Sequence, residues 1–258
     1  MAVVLETRAL DKRFDAVVAA ADISVRIDEG EVVGIIGANG AGKTTFINMV
    51  TGYLTPSSGA IAYRGRDITG LPPRRVTRLG ICRSFQIPQL FLGLSAIDNL
   101  IVALGTVRGR WPSAWQPLRS AAMVEDGYAR LARFGIEAYA DHVASILPQG
   151  IRKLLDIAMA VVGQPKLLLL DEPTSGISID EKFPIMDRIM TALAGERLTV
   201  LFVEHDMEIV ERYARRVLAF YDGRVIADAP TAKALASPEV RQYVIGSETH
   251  RRTATEGL

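Results

Sequence analysis

Residues Gly37 to Thr44 read GANGAGKT, so glycines, a lysine and a threonine fall at the G-x-x-x-x-G-K-[ST] spacing of a phosphate-cradling loop. The flanks suit that chemistry: the apolar run Val32-Val33-Gly34-Ile35-Ile36 precedes the loop, and Thr45-Phe46-Ile47-Asn48-Met49-Val50, a helix-forming run, follows it. Along Gly37, Ala38, Asn39, Gly40, Ala41 and Gly42 the small residues let the chain curl. Successive backbone N–H groups then point inward at phosphate oxygens, and the positive end of the following helix favours the anion. Lys43 is placed to serve the β- and γ-phosphates of a nucleoside triphosphate, and Thr44, with Thr45 beside it, offers a hydroxyl to Mg²⁺.

Two carboxylates answer the loop. Leu167-Leu168-Leu169-Leu170-Asp171-Glu172 sets them at the end of a buried strand, where open α/β sheets place their ligand sites. Asp171 suits Mg²⁺, directly or through water. Adjacent residues of an extended chain point to different sides, so Glu172 can reach past the metal to polarise an attacking water. His205 follows Leu201-Phe202-Val203-Glu204 at the end of another apolar run, which brings it to the same sheet edge, and an imidazole there can hydrogen-bond a γ-phosphate. Gln86, closing Ile81-Cys82-Arg83-Ser84-Phe85, can lend an amide oxygen to Mg²⁺ or its water.

A sheet must hold these groups. Leu167 to Leu170 and Thr199 to Val203 are short apolar runs of the kind a parallel sheet covered on both faces requires. Val3 to Arg8 and Ile23 to Ile27 alternate as half-buried strands, and Ile61-Ala62-Tyr63 reads as another. Between Ser95 and Gly163 the pattern turns helical. Ser95-Ala96-Ile97-Asp98 resembles a capping box, and Ala121 to Phe134 and Ile151 to Val162 carry apolar residues at i, i+3 and i+4. The expectation is an α/β domain over residues 1–246 with a helical lobe inserted at about 87–163, broken by an irregular loop from Gly105 to Arg119 that contains Trp111-Pro112 and Gln116-Pro117. Residues 247–258 read as a polar tail.

Composition limits the alternatives. At 258 residues and 49% apolar content the chain can build one large core with an appended lobe. Thirty Lys and Arg against 29 Asp and Glu leave a charge of +1, which gives no electrostatic case for nucleic acid. A single cysteine, Cys82, cannot form an internal disulfide and reads as a small buried apolar residue. No signal-type core opens the chain, and no uncharged apolar stretch approaches the roughly 18 residues of a membrane helix. Membrane association is therefore expected through a partner.

In their order along the chain these residues resemble the nucleotide-binding subunits of ABC transporters, from Leu5 to about Gly246. GANGAGKT matches that family's Walker A, Gln86 its Q-loop, LLLLDE its Walker B, and His205 in Val203-Glu204-His205-Asp206-Met207 its switch histidine. The resemblance implies a P-loop NTPase core with a mostly parallel sheet, an antiparallel β subdomain and an inserted helical subdomain. It also implies ATP and Mg²⁺ as cofactors, and it gives Phe14 the place of an aromatic stacked on adenine. Two departures stand out. Where the family begins a helix with Leu-Ser-Gly-Gly-Gln against the partner's ATP, this chain has Leu147-Pro148-Gln149-Gly150-Ile151, so Pro148 offers neither hydroxyl nor N–H and only Gly150 and the helix start remain. In the D-loop, Ser178 stands where Asp is usual, with Asp180 two residues later.

Arg83-Ser84-Phe85-Gln86 with Leu90-Phe91, and Asp222-Gly223-Arg224-Val225-Ile226-Ala227 after the switch histidine, bring the resemblance closest to the ATPases of branched-chain amino-acid type importers. That implies a peripheral subunit on the cytoplasmic face of the plasma membrane, held by membrane-spanning permease subunits and paired with a second ATPase subunit. A solute-binding protein serves the complex without touching this chain. The altered signature favours a heterodimer over a homodimer. An ATPase of a lipid or polysaccharide exporter shares the same chemistry and stands as the alternative. Soluble ABC proteins of translation or repair carry tandem units or long coiled coils, which neither the length nor the heptad pattern here allows.

Overall fold

A computed structural model describes residues 2–109, 118–194 and 197–246. The expected polar tail at 247–258, and Trp111-Pro112 and Gln116-Pro117 of the expected loop, lie outside the described residues. Along the chain run β1 (Val3–Phe14), β2 (Val17–Asp28), β3 (Val32–Ile36), α1 (Lys43–Val50), β4 (Ser58–Tyr63), β5 (Arg66–Asp67), α2 (Pro73–Leu79) and β6 (Ile81–Ser84). Helices α3 (Ala96–Val107), α4 (Ala121–Arg133) and α5 (Gln149–Ala160) follow, then β7 (Leu167–Asp171), α6 (Ile179–Leu193), β8 (Thr199–Val203) and α7 (Met207–Tyr213). The described chain closes with β9 (Arg216–Tyr221), β10 (Arg224–Pro230), α8 (Thr231–Ala236) and α9 (Pro238–Val240). None of the described helices is long and apolar enough to cross a membrane.

The chain forms two compact units, Met1–Ile81 with the segment from Arg197 onward, and Cys82–Glu196. The first unit holds an antiparallel sheet in the order β2-β1-β4-β5 and the strands β10-β9-β3-β8. Strand β3 runs parallel to both β8 and β9, with Gly34 opposite Phe202 and Val217, while β9 and β10 are antiparallel. Both β3 and β8 are almost wholly buried, the state that their unbroken apolar runs require. Arg216 fixes the far end of these strands, donating to Glu31 at 3.0 Å and to Asp228 at 2.6 Å.

Strands β1 and β2 are each 12 residues long and run past the alternating stretches that mark them in the sequence. Their pairing shifts register between Thr7 and Leu10, where Ala9 takes a positive φ of 42°. Such a bulge breaks the two-residue period without ending the strand, so alternation alone stops short.

In the second unit β6 and β7 are hydrogen-bonded neighbours, and β7 is buried at every position. Helix α3 packs on α4 and α5, and α5 on α6. Ser95 caps α3, accepting the Asp98 N–H at 3.2 Å. The fully buried Asn99 exchanges bonds with the backbone of Phe91, accepting from its N–H at 2.8 Å and donating to its carbonyl at 3.1 Å, so the loop ahead of the helix is tied down.

Candidate functional site

Within the first unit the phosphate-type loop leaves β3 and enters α1 at Lys43. Two of its glycines are required by space as well as by dihedral. A Cβ on Gly37 would lie 2.5 Å from the Phe220 carbonyl oxygen, and one on Gly42 (φ +103°) would lie 2.8 Å from that of Ala19. The Gly223 N–H donates to the Ala41 carbonyl at 3.1 Å, so the turn between β9 and β10 braces the loop. Lys43 is 6% exposed, and its ammonium donates to the carbonyls of Gly37 and, at 3.0 Å, of Ala38. Asn39 and Gly40 are exposed at the curl, and Thr44 is exposed in the first helical turn with Thr45 half-buried beside it. A tight curl closed over a buried lysine, with its helix start open, fits a chain of phosphates.

Parallel pairing sets Ile35 opposite Val203, so the loop after β3 and the segment Glu204-His205 after β8 leave the same edge of the sheet. His205 is half-buried there, and Asp206 caps α7, accepting from Glu208 N–H at 3.2 Å. Phe14 ends β1 at 47% exposure, and the Lys12 ammonium lies 5.0 Å from the centre of its ring.

The second unit holds the carboxylates. Asp171, 8% exposed, is paired with Arg83 from β6 at 2.5 Å, and both side chains are nearly buried. The Arg83 guanidinium also sits 4.9 Å from the Phe85 ring centre. A carboxylate paired this way commits one oxygen to the guanidinium and keeps the other for a cation. Glu172 adopts φ 46°, in the left-handed region that a non-glycine residue enters at a cost of about 1–3 kcal/mol. Its carboxylate accepts the Gln86 side-chain N–H at 2.7 Å. The amide nitrogen of Gln86 is therefore engaged with Glu172, and its oxygen is the atom left to face a metal or water.

Pro148 is the N-cap of α5 and makes no side-chain cap bond; the helix starts at Gln149, two residues earlier than the apolar period marks it. Arg152 donates to the Leu147 carbonyl at 2.8 Å, which ties the helix to the residues before it. Gln149 stands where the signature has its first glycine. Its amide donates to the Ser175 carbonyl at 3.4 Å and lies over Gly176, where an added Cβ would come within 2.1 Å of its nitrogen. Gly150 packs closely too, since a Cβ there would meet Ile185 at 2.9 Å. Ser178 stands at the N-cap position of α6 without a side-chain cap bond, its hydroxyl donating to Glu181 at 2.8 Å, with Asp180 exposed in the same turn.

Three groups escape a reading of the sequence: the Gly223 turn, Arg83, and the pair Lys153 and Asp156 on α5. Arg83 is a single cation in apolar surroundings and Lys153 follows Arg152 in an amphipathic run, neither with a motif of its own, while the Asp222-Gly223 pair marks a turn and not what the turn touches. Cys82 is half-buried, and burial pushes its thiol up to about 11, so it is no nucleophile.

Residues 20–175 match the family model described as ABC transporter. Over 253 residues the chain is 32% identical to a probable branched-chain amino acid transport ATP-binding protein LivG of Archaeoglobus fulgidus, covering 95% of this chain and 96% of the relative. It is 30% identical to the high-affinity branched-chain amino acid transport ATP-binding protein BraF of Pseudomonas aeruginosa, over 94% of this chain and 98% of that one. Among solved structures, the ADP conformation of MJ1267, an ATP-binding cassette of an ABC transporter, superposes with a TM-score of 0.83 at 29% identity, covering 94% of this chain and 98% of its own. The loop geometry, the fold and the family match agree, and the chain belongs to the ABC transporter family as one of its ATP-binding cassettes.

Proposed function

We propose that this chain is the ATP-hydrolysing subunit of an importer for branched-chain amino acids or closely related small organic solutes. One observation carries the proposal: the similarity to branched-chain amino acid transport ATP-binding proteins runs through 95% of the chain and is not confined to the nucleotide motifs. The same similarity speaks against the exporter alternative.

In this reading the loop from Gly37 to Thr45 binds the triphosphate, with Lys43 on the β- and γ-phosphates, and Phe14 stacks on adenine. Asp171, Thr44 and the Gln86 amide oxygen would hold Mg²⁺, which when bound neutralises phosphate charge. The donors suit that ion: Asp171 offers the carboxylate oxygen that Arg83 does not take, and Thr44 is exposed. Glu172 orients and deprotonates the attacking water, and His205 donates to the γ-phosphate. Gln149, Gly150 and Ile151, at the start of α5, serve the ATP of a second ATPase subunit. We place the assembly on the cytoplasmic face of the plasma membrane, attached through permease subunits.

The segment after Gln86 is the docking surface in this reading. Ile87, Phe91 and Leu92 are 74%, 53% and 52% exposed, and Asn99 holds the Phe91 backbone in place. Co-expression with the permease and binding protein of its transporter should yield a complex whose ATP turnover and vesicle uptake rise with leucine, isoleucine or valine. Phe91→Asp should release this chain from the permeases while its nucleotide affinity stays within about twofold, because the exposed ring carries little of the fold's stability. Stimulation only by a lipid or polysaccharide would overturn the substrate class. Normal co-purification of the Phe91→Asp chain would remove the docking assignment.

The altered helix start motivates a heterodimer, in which this chain's Walker motifs are completed by a partner with an intact signature. Pro148→Ser restores an N-cap hydroxyl, worth about 0.5–2 kcal/mol of helix stability, and Gln149→Gly clears the carboxamide from the helix start. Together they should raise hydrolysis by the isolated chain. Robust turnover by a wild-type homodimer, unchanged in the double variant, would leave the heterodimer without support.

A further inference from the structure

Two buried ionisable side chains on α5 have no part in the roles given above. Lys153 and Asp156 are 2% and 7% exposed, three residues apart and so on one face of the helix. Both reach the segment that carries Gln86. The Lys153 ammonium donates to the carbonyl of Phe85 at 2.9 Å and to that of Gln86 at 2.8 Å. One oxygen of Asp156 accepts the Ser84 hydroxyl at 2.6 Å, and the other accepts the Gln89 N–H at 2.9 Å. The helix thus grips this segment at its entry, its centre and its exit.

Burial pushes the Asp156 carboxyl above its usual range, opposed by the Ser84 hydroxyl, the Gln89 amide and the Lys153 charge. An apolar helix face packed on an apolar loop would avoid that desolvation. What charge adds is direction, because hydrogen bonds to named backbone atoms fix the loop's register where packing alone would let it slide. The gripped residue then acts at the chemistry, since the Gln86 side chain donates to Glu172 at 2.7 Å. Helix α5 begins at Gln149 and Gly150, one turn before Lys153.

We propose that Lys153 and Asp156 are positioning residues: they lock the Gln86 loop to α5, so that a displacement of the helix start is delivered to the Gln86 contact on Glu172. The idea rests on the reading of Gln86 and Glu172 as hydrolytic residues. It joins the end of the helix that meets a partner's nucleotide to the carboxylate that acts on this chain's own.

The test uses the full chain in its transporter complex, with Lys153→Met, which keeps the stem and removes the donors. Turnover should fall about 10- to 100-fold, the size expected of a slightly misplaced catalytic group, while ATP affinity is unchanged. Amide exchange should rise at residues 85–91. Combined with Gln86→Ala, Lys153→Met should cost nothing further, because both changes break one chain of contacts. Wild-type turnover, or losses that simply multiply in the double variant, would overturn the proposal. Should Lys153→Met fail to fold, Ser84→Ala removes one tie with little change of volume. The same non-additive pattern is then expected, with a loss of about threefold that reflects a single bond, and wild-type behaviour overturns the clamp. If Gln86→Ala itself leaves turnover intact, the reading of Gln86 fails and the clamp with it. If Gln86→Ala is impaired but both clamp variants are normal, only the clamp fails.

Discussion

Glu172→Gln should bind ATP as the wild-type chain does and hydrolyse it at least about 100-fold more slowly, the lower end of what a positioned general base contributes. The substitution keeps the shape of the side chain and removes only its capacity to take a proton. The Gln86 N–H that donates to Glu172 at 2.7 Å still finds an oxygen to donate to. The left-handed backbone at this position, φ 46°, is equally open to glutamine, so neither the strand end nor the turn into Pro173 should be disturbed. With product formation blocked, ATP should hold the variant with its partner subunit in a complex visible by size exclusion. Single-turnover hydrolysis decides the matter. Undiminished product formation would exclude Glu172 as the catalytic carboxylate, and a loss of binding in parallel with turnover would show that it holds nucleotide instead.

How much of this was legible beforehand depends on whether a residue's job is local. The phosphate loop reads directly, since glycines that a Cβ would drive into the carbonyls of Phe220 and Ala19 cannot be replaced, and lysine and threonine must follow at fixed spacing. The strands β3, β7 and β8 read equally well, as continuous apolar runs for a sheet covered on both faces. Longer-range arrangements leave no local trace. The bulge at Ala9 breaks the alternation of β1 while the strand goes on, so pattern alone ends it six residues early, at Arg8 and not at Phe14. Gln149 looks in sequence like a missing glycine, yet it is a side chain laid over Gly176. Arg83 looks like an isolated cation and Lys153 like one of an ordinary basic pair with Arg152, and only the fold supplies Asp171 for the first and the Gln86 loop carbonyls for the second. Buried charge is where sequence reading is weakest, because the partner that makes it tolerable lies 88 residues away in the first case.

Lys43→Ala should abolish ATP-dependent stabilisation while leaving a folded chain. The wild-type ammonium is 6% exposed and is held by the carbonyls of Gly37 and Ala38, so the loop closes around a fixed positive charge. Preorganisation of that kind spares binding the work of ordering a long side chain. Removing the ammonium forfeits a charge-assisted contact of about 1.5–3 kcal/mol, which corresponds to an ATP affinity about 10- to 150-fold weaker. Turnover should fall further still, since the same charge faces the group being transferred. The two loop carbonyls lose their donor as well, but that of Ala38 sits beside the exposed Asn39, where water can replace it, so the melting temperature without nucleotide should drop by only a few degrees. The informative measurement is the rise in melting temperature on adding Mg²⁺ and ATP, which follows ligand affinity by mass action. A full rise in the Lys43→Ala chain, together with wild-type turnover, would mean that Gly37 to Thr44 is a glycine-rich turn and that nucleotide binds elsewhere.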